Sequence, residues 1–136
     1  RLVVKKLVKM GFRVTFFDYP LNPENSPEVL HACTISMYKS LVEKYPNDSF
    51  SFFGDSAGGG LALSLLMQLR DKGIEAPKKS VLVSPWLDVG LSNKDLVNYV
   101  KRDKILPLDV TIQIGKTFAG ELGGQSSIRI ADLRKF

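Results

Sequence analysis

A sequence of 136 residues, 44% hydrophobic and 24% charged, has ordinary globular composition and the length of one domain. One cysteine, Cys33, excludes an internal disulfide framework, and one histidine, His31, excludes a Cys/His zinc cluster, so no metal and no cofactor is expected. The net charge of +5 sits at one end, on Arg1, Lys5, Lys6, Lys9 and Arg13 ahead of the first acid, Asp18, while basic and acidic residues cancel from residue 14 onward. A surface that tracks phosphates needs cationic charge over more of the fold, so nucleic acid is not an expected partner. Apolar stretches such as 61–67 fall far short of the ~20 residues that cross a bilayer, and no cleavable leader is legible. A cytoplasmic location without stable membrane insertion is the expectation.

The early charges interleave with Leu2, Val3, Val4, Leu7, Val8 and Met10 at the spacing of an amphipathic helix with a solvated basic face. Gly11 stands where the C-terminus of such a helix needs positive φ. A strand is expected over 12–17, because Phe12, Val14, Thr15, Phe16 and Phe17 make the near-continuous apolar run of a strand buried on both faces. Residues 18–27 hold three prolines and two asparagines and read as a loop. Ser26, Pro27 and Glu28 then supply an N-cap, a first-turn proline and a first-turn acid. The helix they open carries Leu30, Cys33, Thr34, Met37, Leu41 and Tyr45 at steps of three and four, up to Pro46.

A second strand is expected over 49–53, running into Gly54, followed by a helix over 57–72. That helix has a stripe of Leu61, Ala62, Leu65, Leu66 and Leu69, and Gly73 closes it. A third strand covers 79–84, with Val81, Leu82 and Val83 at its centre. Strands joined by crossovers of a dozen or more residues predict an α/β fold, a mostly parallel sheet with helices on both faces. Beyond Trp86 the pattern weakens to a short polar helix over 95–103, a helix over 108–118 started by Pro107, and a loop with a charged apolar tail from Gly120.

The informative stretch is Gly54-Asp55-Ser56-Ala57-Gly58-Gly59, a G-x-S-x-G signature between a strand and a helix. A serine at a sharp strand-to-helix turn has a strained backbone, and small neighbours at Gly54 and Gly58 let the turn close. Its Oγ projects beyond the strand end, and a developing oxyanion would meet the Ala57 N–H and the positive end of the helix dipole. Ser56 is therefore the candidate nucleophile and Ala57 the candidate oxyanion donor. Asp55, the variable residue of the motif, is expected to hydrogen-bond locally. A glycine turn whose serine merely caps the helix is the plainer alternative.

With Asp18-Tyr19-Pro20-Leu21-Asn22-Pro23-Glu24 upstream and Ser84-Pro85-Trp86-Leu87-Asp88 downstream, this motif resembles the α/β-hydrolases of the hormone-sensitive-lipase-like esterase and lipase family, of the fold-3 type. The likeness runs from about Lys5 to Glu121 on three motifs in the right order. Pro20 and Asn22 depart from it, standing where the family has arginine and alanine. The resemblance implies a partial α/β-hydrolase fold with a nucleophile elbow between strand 49–53 and helix 57–72. It implies a serine hydrolase acting on small carboxylic esters through an acyl-enzyme on Ser56.

The family's His-Gly-Gly-Gly oxyanion segment has no counterpart here, and no histidine follows Ser56. Residues 1–136 are thus expected to be one incomplete domain, a truncated central fragment, lacking the strands with the oxyanion loop, the acid and the histidine. His31 precedes the nucleophile, against the order this fold uses, and reads as an ordinary surface or edge histidine. Asp88, Asp95, Asp103, Asp109 and Asp132 follow Ser56, but none lies in a segment like the family's acid motif. Loss of the base costs a serine hydrolase on the order of a million-fold in kcat. The isolated chain is therefore expected to be inactive or very weak, the alternative being a non-catalytic remnant or binding module that retains the elbow.

Overall fold

The computed structural model describes residues 2–100 and 102–118, with Val97 described by its backbone alone. Its elements are α1 (Leu2–Lys9), α2 (Pro27–Lys44), β1 (Ser51–Asp55), α3 (Ser56–Asp71), β2 (Lys79–Val83), α4 (Leu96–Val100) and α5 (Leu108–Phe118). The loop expected from Gly120, the apolar tail and Asp132 lie outside the described residues.

β1 and β2 pair in parallel, Ser51 opposite Lys79 and Asp55 opposite Val83, with α3 as the crossover that a parallel pair requires. The α/β reading stands, with shifted boundaries. The strand expected over 49–53 is β1, Ser51–Asp55, reaching Gly54 and Asp55 because their main chains continue the ladder past the apolar run, and the helix starts one residue earlier than expected, at Ser56.

Alternation along the strands separates two faces. Phe52 packs toward α3, into a core of Tyr38, Leu65 and Leu69 that Phe17, Ile35, Val42, Phe50 and Ile74 join. Tyr38 meets the ring edges of Phe50 and Phe52 at centroid distances of 6.0 and 5.4 Å, and its hydroxyl donates to the Glu75 carbonyl at 3.0 Å. On the opposite face Phe53, Val81 and Val83 remain exposed.

Residues 12–17 correct the sequence reading. They run without helix and join no ladder among the described residues, and Phe16 is 73% exposed. The apolar run supplies β propensity, but a strand exists only where a neighbour takes its N–H and C=O groups. Arg13 anchors the start of the segment through Asp48 at 3.4 Å and by stacking 4.1 Å over the Tyr45 ring, and only Phe17 reaches the core.

The buried face of α2 also differs. It carries Leu30, His31, Thr34 and Tyr38, while Cys33, Met37 and Leu41 are half-buried, with Met37 and Leu41 bordering an open groove beside Phe16 and Phe17. His31 and Tyr38 can be buried because each finds a hydrogen-bond partner. α4 is shorter than 95–103: the Asn93 Oδ1 accepts from the Asp95 N–H, and the Asp103 carboxylate from the Ile105 and Leu106 N–H groups, turning the chain at both ends.

Helix endings follow local chemistry closely. Gly73, at φ 64, lets its N–H reach the Arg70 carbonyl and the Ile74 N–H reach that of Leu69. Gly11, at φ 88, does the same for α1 with the carbonyls of Val8 and Leu7. Both are Schellman closures, in which a left-handed glycine satisfies the last carbonyls of the helix.

Candidate active site

All six motif residues fall on the junction of β1 and α3. Ser56 follows the last paired residue of β1 and is left-handed at φ 50, a conformation that costs an L-residue roughly 1–2 kcal/mol. Ser56 and Ala57 are exposed, whereas Gly54 and Gly59 are buried. A Cβ on Gly54 would strike the Gly58 carbonyl oxygen, with Gly58 C at 2.7 Å and Gly59 N at 2.8 Å. A Cβ on Gly59 would lie 2.9 Å from Pro85 Cβ. Around Gly58 there is open space, so the steric demand falls on Gly54 and Gly59 rather than on Gly54 and Gly58.

Asp55 is the N-cap of α3 with extended backbone, but its side chain makes no capping hydrogen bond, contrary to the local bonding expected of it. The first-turn N–H groups, Ala57's among them, thus meet no capping side chain from Asp55 at the positive end of a 16-residue helix.

A second left-handed serine faces the first. Ser84, at φ 44, follows Val83, the register partner of Asp55, so the two parallel strands end in matched bends. From the second bend the Trp86 N–H donates to the Ser56 carbonyl at 2.9 Å. The indole Nε1 donates to the Asp88 carbonyl at 3.0 Å. The Asp88 carboxylate accepts from the Ser92 N–H at 2.6 Å, the Ser92 hydroxyl at 3.0 Å and the Asn93 N–H at 3.3 Å, and so closes its own loop. Sequence reasoning missed the Trp86 tie, since a main-chain donor leaves no mark in residue type.

His31 is neither at the surface nor beside Ser56. It is buried between α2 and α3, its Nε2 3.2 Å from the Ser64 Oγ, and that hydroxyl oxygen accepts from Gln68 Nε2 at 3.3 Å. Ser64 lies eight residues beyond Ser56, about 12 Å further along the helix axis. Burial lowers the imidazole pKa, opposed by the charge of Glu28. Among the acids, the exposed Asp103 carboxylate is held below its usual range by the N–H groups of Leu106 and Ile105, and Asp109 lies in the first turn of α5. Among the described residues no three His, Cys, Asp or Glu side chains gather as a metal site, and no helix is long and apolar enough to cross a membrane.

A bent serine between a parallel strand and a crossover helix is the arrangement on which comparison with known proteins bears. The family model described as alpha/beta hydrolase fold matches residues 1–128. The chain belongs to the α/β-hydrolases. It is 33% identical over 98 residues to an esterase of Acinetobacter venetianus, covering 71% of this chain and 32% of that one. To an acetyl-hydrolase of Streptomyces hygroscopicus it is 35% identical over 80 residues, 58% of this chain and 27% of the relative. A crystal structure of an esterase from the bacterial hormone-sensitive lipase family superposes with a TM-score of 0.73 at 27% identity, over 83% of this chain and 38% of that one. A homologue of hormone-sensitive lipase from a metagenome library gives 0.71 at 28% identity, over 80% and 37%. This hormone-sensitive-lipase-like α/β-hydrolase chain spans about a third of the length of these relatives.

Proposed function

We propose that this chain carries the nucleophile of a carboxylic-ester hydrolase working through an acyl-enzyme on Ser56. The observation that carries the reading is the left-handed, exposed serine at the β1–α3 junction, beside first-turn N–H groups that no side chain caps. Ser56 Oγ attacks the ester carbonyl carbon, and the carbonyl oxygen, now negative, accepts from the Ala57 N–H in the field of the helix dipole. Collapse expels the alcohol and leaves the acyl group on Oγ, from which water releases the acid. Esterase and acetyl-hydrolase relatives support small carboxylic esters as the substrate class.

The Oγ proton needs a base, and the chain's one histidine is engaged at Ser64. The base, its orienting acid and further oxyanion donors therefore come from outside these residues, in a longer chain that completes the single domain. Alone, the chain turns ester over weakly or not at all. Incubation of the purified chain with a fluorophosphonate probe tests the nucleophile. Slow labelling, far below the rate of a serine with its base in place, that disappears in Ser56→Ala is the expected result, since the one histidine of these residues is engaged at Ser64. Labelling equal in the variant, or none even after prolonged incubation at high probe concentration, overturns the assignment and leaves the elbow as a non-catalytic remnant.

A further inference from the structure

The turn after β2 bears on the one after β1 in a way the hydrolase reading does not use. Ser56 carries backbone strain, and its N-cap neighbour contributes no side-chain bond to the first turn of α3. Within the helix, the first carbonyl accepts from an N–H four residues on, which leaves an uncapped first turn able to fray. The restraint comes from another element, the Trp86 N–H, 2.9 Å from the Ser56 carbonyl oxygen. That carbonyl belongs to the same planar, trans peptide unit as the Ala57 N–H, and in such a unit C=O and N–H point in opposite directions. Anchoring the oxygen therefore sets the heading of the hydrogen. The anchor is itself placed by contact, since Pro85 lies where any Cβ on Gly59 would stand, and by the left-handed Ser84 at the matched strand end.

We propose that the Trp86 main-chain N–H is the positioning group of the nucleophile turn: by holding the Ser56 carbonyl it aims the Ala57 N–H at the oxygen that becomes negative during attack. The proposal rests on the Ser56 reading for its chemistry, and on the Ser56–Trp86 geometry alone for the orientation.

The test is to replace Trp86 in the full chain by its α-hydroxy analogue, which turns one amide into an ester. The N–H is lost, while the indole and its bond to the Asp88 carbonyl are kept. The same change at Leu91, whose N–H donates to the Asp88 carbonyl at 3.2 Å, is the control. Two readouts are taken: the N–H residual dipolar coupling of Ala57 in an aligned medium, and the rate of fluorophosphonate labelling. The Ala57 coupling is expected to change in the Trp86 ester only, with couplings from Leu61 to Leu69 unaltered. Labelling should slow about tenfold or more, a share of the hundred- to thousand-fold worth of an oxyanion donor. Gly59→Ala, which pushes Pro85 away, should reproduce both effects, and adding Pro85→Gly should partly reverse them. An unchanged Ala57 coupling in the Trp86 ester overturns the proposal, as does slowed labelling with that coupling intact. A parent chain that does not label at all sinks the ester-hydrolase reading, while the coupling still decides whether Trp86 orients the peptide.

Discussion

Replacing Ser64 with alanine removes the hydroxyl that His31 Nε2 meets at 3.2 Å between α2 and α3, where Ser64 is 4% and His31 8% exposed. The ring nitrogen is then buried without a partner, which costs about 1–3 kcal/mol, more than the net worth of the bond itself. With a urea dependence of about 1–3 kcal/mol per molar for a small domain, the unfolding midpoint should fall by roughly 1 M. Replacing both partners, as in His31→Leu with Ser64→Ala, removes donor and acceptor together and should leave the chain more stable than Ser64→Ala alone.

The same pair makes stability depend on pH. Burial sets the folded pKa of His31 below the ordinary imidazole value, against the opposing pull of Glu28 on its own helix. From α3 the ring faces the neutral groups of Ser64 and Gln68. The unfolded chain therefore takes up the proton first. The contribution of His31 is complete above about pH 6.5 and is lost as the pH falls through that value toward the lower folded one, at a slope of at most about 1.4 kcal/mol per unit. Urea titrations of the parent and of His31→Gln at about pH 7.5 and 5.5 read the difference, above the range where carboxylates dominate. The reasoning fails if Ser64→Ala unfolds with the parent, or if His31→Gln keeps the parent's full acid sensitivity.

The glycines of the motif should separate in thermal melts. Gly54→Ala drives a Cβ into the Gly58–Gly59 main chain and should cost about 1–3 kcal/mol and abolish probe labelling, because the backbone it strikes is the one that shapes Ser56. Gly58→Ala meets open space inside a helix and should raise stability by up to about 1 kcal/mol, so equal melting of the two variants would contradict the packing described. Leu69→Ala empties a fully buried position in the core between α2, α3 and β1, and should cost about 2–5 kcal/mol by urea denaturation.

What could be read from the residues alone was the chemistry that acts over a few positions. Ser26-Pro27-Glu28 opens α2 and Gly11 and Gly73 close α1 and α3, because each signal satisfies groups on its own helix. The bend at Ser56 was legible for the same reason, its strand and helix being adjacent in sequence. Two features depended on distant partners and were misread. The run 12–17 has the composition of a strand but no ladder neighbour among the described residues. His31 read as a surface or edge histidine, and it is inside because Ser64, on α3, meets its ring nitrogen.

These two kinds of dependence divide the candidate site. The strain at Ser56 is sustained by contacts that all lie between residues 54 and 86: Gly54 under the Gly58–Gly59 main chain, Gly59 against Pro85, and the Trp86 N–H on the Ser56 carbonyl. Those contacts join β1, α3 and the turn after β2, which the β1–β2 ladder and its crossover helix hold together, so the bend is sustained where that unit is folded. Proton transfer has no such local basis. The single imidazole is committed two turns along α3 to a bond between helices, in surroundings that favour its neutral form. The shape of the Ser56 bend and the base that the proposed chemistry needs are thus separable properties, and a group brought near Ser56 from beyond these residues could add the second without rebuilding the first.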